Sequence, residues 1–298
     1  MDSHSNKIVI TGINGFTGVY LTDYLTKKGF VVFGISNDSN NTAQNVFQCD
    51  ILNKDSLTHV LNQIKPSYII HLAAISFVGH PNVAEMYEVN VVGTQNILDV
   101  CLELKLDLKK IVLASSATVY GNQEAAVLTE TLQPNPVNHY GISKLAMELM
   151  ARNYYNSLPI LITRPFNYTA PGQAEHFVIP KIAKAFNEKL KKLELGNLEV
   201  YREYNSIEFI CECYFRLLES DQKSEIVNLA SNQTYSLKEI IHLFEKFSHH
   251  KIEVEINPLF VRKNEITKLS GSSEKLQFVL KHSVNNDIEN VVKAFLKN

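Results

Sequence analysis

The stretch KIVITGINGFTG, Lys7–Gly18, decides how the rest of the chain reads. Lys7 to Thr11 is a short apolar run of the length of a buried strand. Gly12, Gly15 and Gly18 follow at GxxGxxG spacing. A helical stripe comes next, with Leu21, Tyr24 and Leu25 on one face, then Lys27, Lys28 and a glycine stop at Gly29. Three glycines alone could be turn chemistry. Between a strand and a helix they make a dinucleotide-binding turn. The first allows the sharp turn, the second lets backbone approach a pyrophosphate, and the third lets helix and strand pack closely. Free N–H groups at the helix start then face the phosphates.

Outward from this turn the same rhythm repeats. Phe30–Ile35, Tyr68–Ala74, Lys110–Ser116 and Pro159–Arg164 read as strands. Helical patterns separate them, around Leu57–Ile64, over Val83–Leu104 and over Gly141–Tyr155. Strands alternating with amphipathic helices imply parallel βαβ units. After Arg164 the rhythm loosens into RPFNYTAPGQAEH, a long loop rich in Pro, Gly and Asn. Helices over Phe177–Leu190, Asn205–Glu219 and around Leu237–Phe244 follow, with strands at Glu225–Ser231 and Lys251–Pro258. The expected fold is α/β: a doubly wound parallel Rossmann sheet with a smaller mixed α/β C-terminal substrate-binding domain. Residues 1–165 form the expected dinucleotide-binding domain, rejoined by parts of 205–230, and 166–298 the substrate domain.

Composition narrows the function. The chain has 298 residues, 45% of them hydrophobic, and 29 basic against 31 acidic residues. That balance gives no reason to expect a nucleic-acid or anionic-membrane partner. Cys49, Cys101, Cys211 and Cys213 form no CxxC pair and no metal-spaced cluster, so free thiols and no metal are expected. The polar start MDSHSNK carries no secretory signal, and no apolar run reaches the roughly 18 residues of a membrane span. A cytoplasmic protein is the expectation.

The chemistry sits in two later runs, SSATVYG (Ser115–Gly121) and YGISK (Tyr140–Lys144). Tyr140 and Lys144, four residues apart, project from one helix face. The ammonium is expected to lower the pKa of the phenol. A hydroxyl at the end of the Lys110 strand, Ser116 or its neighbour Ser115, then holds a carbonyl against that phenol. Such a trio moves a proton on or off an alcohol oxygen while a hydride moves at the attached carbon. At the end of the second strand stand Ser36 and Asn37, where an NAD site usually offers an acid to the ribose. The missing acid favours NADP(H), with NAD(H) the alternative. Asp50 is read either as a contact to the adenine amino group or as a helix cap.

With these residues in place the chain resembles the extended short-chain dehydrogenase/reductases that act on nucleotide sugars, over nearly its full length. It looks most like the branch of GDP-mannose 4,6-dehydratases and GDP-4-keto-6-deoxy-mannose reductases. RPFNYTAPGQ resembles that branch's Arg-Pro-Phe-Asn-His-Thr-Gly-Pro-Gly-Gln, GNLEVYREY its Gly-Asn-Leu-Glu followed by Arg-Asp, and NPLFVRKNE its late Arg-Pro-x-Asp/Glu.

The resemblance implies roles. Ser116 matches the catalytic Ser/Thr, Tyr140 the acid/base tyrosine and Lys144 the lysine on the nicotinamide ribose. Phe16 and Ala73 join the glycines as dinucleotide contacts. Asn167 and His176 match substrate-facing positions. Asn197, Leu198 and Arg202 match the strand that holds the nucleotide, and Arg262 a late arginine on the diphosphate. The branch implies a GDP-linked keto-deoxy sugar as substrate, and a homodimer through the helices after Val83 and Gly141.

Ala117 and Thr118 depart from the branch. The dehydratases carry an acidic pair there, so elimination of water is not expected of this chain. C4-keto reduction is the expected reaction. A 4-epimerase with tightly bound NAD is the first alternative, a non-catalytic dinucleotide sensor the second. Ser206 in place of the branch's second Asp, and Ala170 in place of a glycine, are further departures. His80, His139 and His176 read as loop histidines.

Overall fold

A computed structural model describes residues 6–38, 43–261 and 268–296. It opens with β1 (Lys7–Thr11), α1 (Phe16–Lys27), β2 (Val31–Ser36), β3 (Val46–Gln48) and α2 (Lys54–Ile64). Next come β4 (Tyr68–His71), α3 (Val83–Tyr87), α4 (Thr94–Glu103), β5 (Lys110–Ala114), α5 (His139–Ala151) and β6 (Ile160–Pro165). Beyond them lie β7 (Tyr168–Thr169), α6 (Val178–Asn187), β8 (Lys192–Leu195), β9 (Tyr201–Glu203), β10 (Asn205–Ser206) and α7 (Ile207–Glu219). The chain ends with β11 (Glu225–Leu229), β12 (Thr234–Ser236), α8 (Leu237–Ser248), β13 (Glu253–Ile256), β14 (Lys268–Leu269), α9 (Glu274–Leu280) and α10 (Ile288–Phe295).

Among the described residues, seven strands make one parallel sheet in the order β11-β6-β5-β4-β1-β2-β3. The order reverses between β1 and β4, the switch point where such sheets place their ligands. Helices cover both faces, so the strands are apolar on both sides. Ile8, Ile10, Val112 and Leu161 pack toward α1 and α7 with Leu21, Leu25, Ile210 and Leu217. Val9, Ile69 and Ile111 pack on the other face with Leu57, Leu61, Leu98 and Met147. The alternation is the period of two of a strand. Late in sequence, β11 extends this sheet beside β6. The remaining strands pair as β10-β7, β12-β9-β14 and β13-β8, next to a separate core of Ile182, Phe186, Leu195, Ile240, Phe244 and Val292.

Two elements depart from the periodic reading. The pattern over Val83–Leu104 is one helical rod, but its middle, Glu88–Gly93, widens into a π-helical turn. Asn90 explains its use. From this turn its amide donates to the Ile75 carbonyl (3.1 Å) and to Ser143 Oγ (2.9 Å), and accepts from Ile75 N–H (2.8 Å). The loop after β4 is thereby tied to α5. The second departure is Asp50. Asn53 caps α2 by accepting from Ser56 N–H, while Asp50 closes the preceding turn by accepting from Leu52 N–H at 2.9 Å. Asp50 is therefore not the helix cap.

His71, at the end of β4, is 1% exposed. Thr94 donates to the Asn90 carbonyl and so accepts from His71 Nε2 at 2.9 Å. Thr11 Oγ1 accepts from Ala73 N–H and so donates to His71 Nδ1 at 2.6 Å. These bonds assign a neutral ring protonated on Nε2. Burial lowers the His71 pKa from its ordinary 6.5 to about 3, with the Lys144 charge adding to the effect. A proton taken up here must favour the unfolded chain, so this contribution is complete above pH 6.5 and lost as pH falls toward 3. In urea denaturation at pH 4 against pH 7, His71→Gln is expected to lose less stability on acidification than the wild type. An equal loss would refute this reading.

Candidate active site

The glycine turn is built as the spacing requires. Gly12 lies at φ +70°, and a Cβ there would stand 2.8 Å from Ala73 N, so the loop after β4 packs against bare backbone. A Cβ on Gly18 would stand 2.5 Å from the Gly12 carbonyl oxygen. Gly15 is the N-cap of α1, and no side chain caps that helix. A side-chain-free cradle at a helix amino terminus fits a pyrophosphate. Phe16 opens α1 and stacks on Tyr168 with ring centroids 6.0 Å apart. Ser36 ends β2 buried, and its Oγ accepts from Asn14 Nδ2 (3.0 Å) and Asp38 N–H (3.1 Å). Asn37 follows it, exposed. The residues present suit a dinucleotide with its pyrophosphate at Gly12–Gly18 and its adenosine toward Ser36 and Asn37.

Across the switch point, α5 begins at His139 behind the cap Asn138, whose side chain accepts from Gly141 N–H. Gly141 is needed for contact, because a Cβ there would meet the Thr118 carbonyl oxygen at 2.8 Å. This close approach brings Tyr140 against the short 3₁₀ turn Ala117–Tyr120, of which Ser116 is the N-cap. The Ser116 hydroxyl lies close enough to Tyr140 to favour its ionised form. Burial nevertheless pushes the phenol up to about 12; Ser116 opposes the rise and the neighbouring Tyr168 adds to it. Lys144 is 3% exposed and donates from Nζ to the Ala114 carbonyl at 2.7 Å. Burial lowers its pKa to about 8, against the pull of the Glu148 carboxylate. The expected acidification of Tyr140 by Lys144 is thus not displayed. The ammonium is anchored on the end of β5, and desolvation of the phenol dominates.

Ser115, the other hydroxyl of the pair, is committed elsewhere. It donates to Glu148 Oε1 at 2.6 Å. Arg164 grips the same carboxylate with Nε (2.9 Å) and Nη2 (2.6 Å). The geometry therefore selects Ser116 as the hydroxyl facing Tyr140. Sequence reasoning missed Glu148 and Arg164. A signal existed: Tyr140, Lys144 and Glu148 repeat at intervals of four along one face of α5.

The proposed substrate residues lie further out. Asn167 is exposed, and its carbonyl accepts from Asn205 N–H at 2.9 Å, joining β7 to β10. Tyr168 Oη bonds Thr17 Oγ1 at 2.7 Å and Tyr20 Oη donates to the Pro171 carbonyl at 2.7 Å, docking the loop after β6 onto α1. Ala170 is buried outside the left-handed region, so it stands without strain where the branch has glycine. His176 is exposed between Phe77 (5.4 Å) and Phe177 (4.3 Å). His80 lies beside Glu85, and His139 is the first residue of α5 rather than a loop histidine. Asn197 and Leu198 precede β9 rather than lying in it. Asn197 closes a turn onto Glu199 N–H, and Leu198 packs on the separate C-terminal core. Arg202 is in β9, between β12 and β14. Arg262 lies outside the described residues.

Next to Arg202, Glu203 is buried and accepts from Gly271 N–H (2.7 Å), Ser231 N–H (2.8 Å) and Asn205 Nδ2 (3.0 Å). Burial raises its pKa, and these donors oppose the rise. The carboxylate pins β9 to two later segments. Ser206 replaces the branch's Asp as the cap of α7, accepting from Phe209 N–H at 3.0 Å. No group of His, Cys, Asp or Glu among the described residues could hold a metal ion, and no helix among them is long and apolar enough to cross a membrane.

Comparison with known proteins fits this geometry. The chain is 37% identical over 275 residues to a GDP-6-deoxy-D-talose 4-dehydrogenase of Aggregatibacter actinomycetemcomitans, covering 92% of this chain and 91% of that one. It is 27% identical over 285 residues to a GDP-6-deoxy-D-mannose reductase of Pseudomonas aeruginosa, covering 91% and 90%. The structure of RMD from Pseudomonas aeruginosa complexed with NADPH superposes with a TM-score of 0.85 at 27% identity, over 98% of this chain and 97% of that one. Residues 9–295 match the family described as GDP-mannose 4,6 dehydratase, and the chain belongs to that family.

Proposed function

We propose that the protein reduces the C4 ketone of a GDP-linked 4-keto-6-deoxy sugar with NADPH. The observation that carries this reading is the neighbouring pair Ser116 and Tyr140, with Lys144 on the same helix face, beside a turn where Ala117 and Thr118 offer no carboxylate. With the coenzyme's pyrophosphate at the glycine turn, its nicotinamide would supply the hydride to C4. Tyr140 donates the phenolic proton to the oxygen that becomes the alcohol, and Ser116 holds that oxygen. Lys144 supplies positive charge toward the nicotinamide ribose and keeps it while pH stays below about 8.

NADP(H) is favoured over NAD(H) because Ser36 and Asn37 offer no acid to repel a 2′-phosphate, and because the Pseudomonas relative is complexed with NADPH. The names of the two relatives differ in C4 configuration, talo against manno, and the more similar one is the talose enzyme. We therefore assign the talo alcohol as product. Asn167, Arg202 and Arg262 are the residues offered to the nucleotide sugar, with guanidinium groups suited to a diphosphate. Mixing the protein with NADPH and GDP-4-keto-6-deoxy-mannose should consume reduced nicotinamide in proportion to ketone, and proton NMR of the product should show the talo coupling pattern. No NADPH consumption would sink the reading.

Val92, Ile142 and Leu149 lie 45%, 39% and 50% exposed on the π-helical turn and α5. These exposed apolar side chains support a homodimer through the two helices. Light scattering should give a mass near twice 33.7 kDa; a monomer at micromolar concentration would refute it.

A further inference from the structure

We infer that Thr118 is a positioning residue that sets the direction of the hydroxyl chain through Ser116 to Tyr140. This rests on the proposed roles of Ser116 and Tyr140. Ser116 Oγ accepts two hydrogen bonds from one residue, from Thr118 Oγ1 at 2.9 Å and from Thr118 N–H at 3.2 Å. A serine hydroxyl has two acceptor positions and one proton. With both acceptor positions filled, Ser116 can only donate. Its proton is left for the side where the proposed function sets Tyr140, and a donor there opposes the burial-driven rise of the phenol's pKa.

The chain of donation therefore runs one way, from Thr118 to Ser116 to Tyr140. The phenolic proton is left pointing away from Ser116 and available to an incoming oxygen. Bonds in such a chain polarise one another, so Ser116 becomes a stronger donor than an isolated serine. When the ketone oxygen enters beside Tyr140, the single Ser116 proton passes its bond from the phenol to that oxygen, and Thr118 still fixes Ser116 as a donor. The direction suits protonation of a nascent alkoxide, the proton movement of a ketone reduction. The position is fixed by local backbone. Ser116 caps the turn Ala117–Tyr120, which places Thr118 N–H and Thr118 Oγ1 on the same side of the serine oxygen. It is also the position where the branch's dehydratases carry an acid. A threonine there does not ionise at neutral pH but keeps a donor beside Ser116.

The test is Thr118→Val with Thr118→Ser as its conservative partner. Valine keeps the branched shape and removes only Oγ1. Thr118→Val should lower kcat for ketone reduction about five- to ten-fold, the loss of one neutral hydrogen bond, with the KM for NADPH and the melting temperature unchanged. Thr118→Ser should restore kcat to within about two-fold of wild type. A readout independent of turnover is the carbon-13 shift of labelled tyrosine Cζ, with the Tyr140 resonance assigned by its loss in Tyr140→Phe. It should move in Thr118→Val, as the phenol turns to donate into the vacated acceptor position of Ser116, and return in Thr118→Ser. An unmoved resonance overturns the inference, as does equal loss of kcat in both variants, which would mean packing alone. Wild-type protein that reduces no keto sugar would instead overturn the proposed function, while the tyrosine resonance would still decide the role of Thr118.

Discussion

Tyr140→Phe is expected to lower kcat for C4-keto reduction by about a hundred- to ten-thousand-fold, the range for removing a positioned general acid. Phenylalanine keeps the ring and deletes only the oxygen, so the packing of α5 on the turn Ala117–Tyr120 should hold. NADPH should bind within about two-fold of its wild-type affinity, because the glycine turn and Lys144 are untouched. The loss must then appear in kcat, not in the KM for coenzyme. Ser116 loses its acceptor in the variant but can still donate to the ketone oxygen, so a residual rate should survive. The pH profile adds a second constraint. Burial holds Lys144 at a pKa of about 8, so its charge fades above that pH and wild-type activity should fall on the alkaline side. The phenol, pushed up to about 12, stays protonated throughout and is fit to act as an acid. A dinucleotide sensor would show neither effect. A kcat within three-fold of wild type in Tyr140→Phe would remove the phenol from the chemistry.

Local sequence foretold the parts of this site that local sequence builds. The turn Gly12–Gly18 and the face Tyr140–Lys144 each lie within one strand–turn–helix unit or one helix, where spacing determines geometry. What sequence did not foretell arises from pairs far apart in the chain. Tyr168 meets Thr17 across 151 residues, and Ser115 meets Glu148 across 33. The direction of Lys144 also escaped. A spacing of four places it on the face of Tyr140, but the carbonyl at the end of β5 accepts its hydrogen bond, and only the sheet register puts that carbonyl there. Likewise, Val83–Leu104 has an apolar stripe that no period distinguishes from a plain helix. The π-helical turn carries Asn90 to Ile75 in the loop after β4 and to Ser143 of α5, partners distant in sequence that the stripe itself does not encode.

The other large expected effect is on stability. Glu148 and Arg164 are 0% and 1% exposed at their side chains and form a bidentate pair between α5 and β6. Glu148→Ala should destabilise the fold by about 3–5 kcal/mol, the usual result of stranding one buried partner. The stranded group would be a guanidinium whose Nη1 has no hydrogen-bond partner among the described residues and which lies 4.7 Å over the Tyr120 ring. Ser115 would lose its acceptor as well. The pair itself need not add much net stability, because removing both charges also removes both desolvation costs. Glu148→Leu with Arg164→Met should therefore be less destabilised in urea than either single variant, a coupling that a double-mutant cycle reads directly. Additive losses would show that the two charges do not depend on each other. Glu148 also opposes the depression of the Lys144 pKa from one helical turn away. In Glu148→Gln, which keeps the shape, Lys144 should lose its proton at a lower pH than in wild type, and the alkaline fall in activity should begin below pH 8. An alkaline limb that stays in place while stability drops would confine Glu148 to holding β5, β6 and α5 together, with no hand in the charge that Lys144 presents to the ribose.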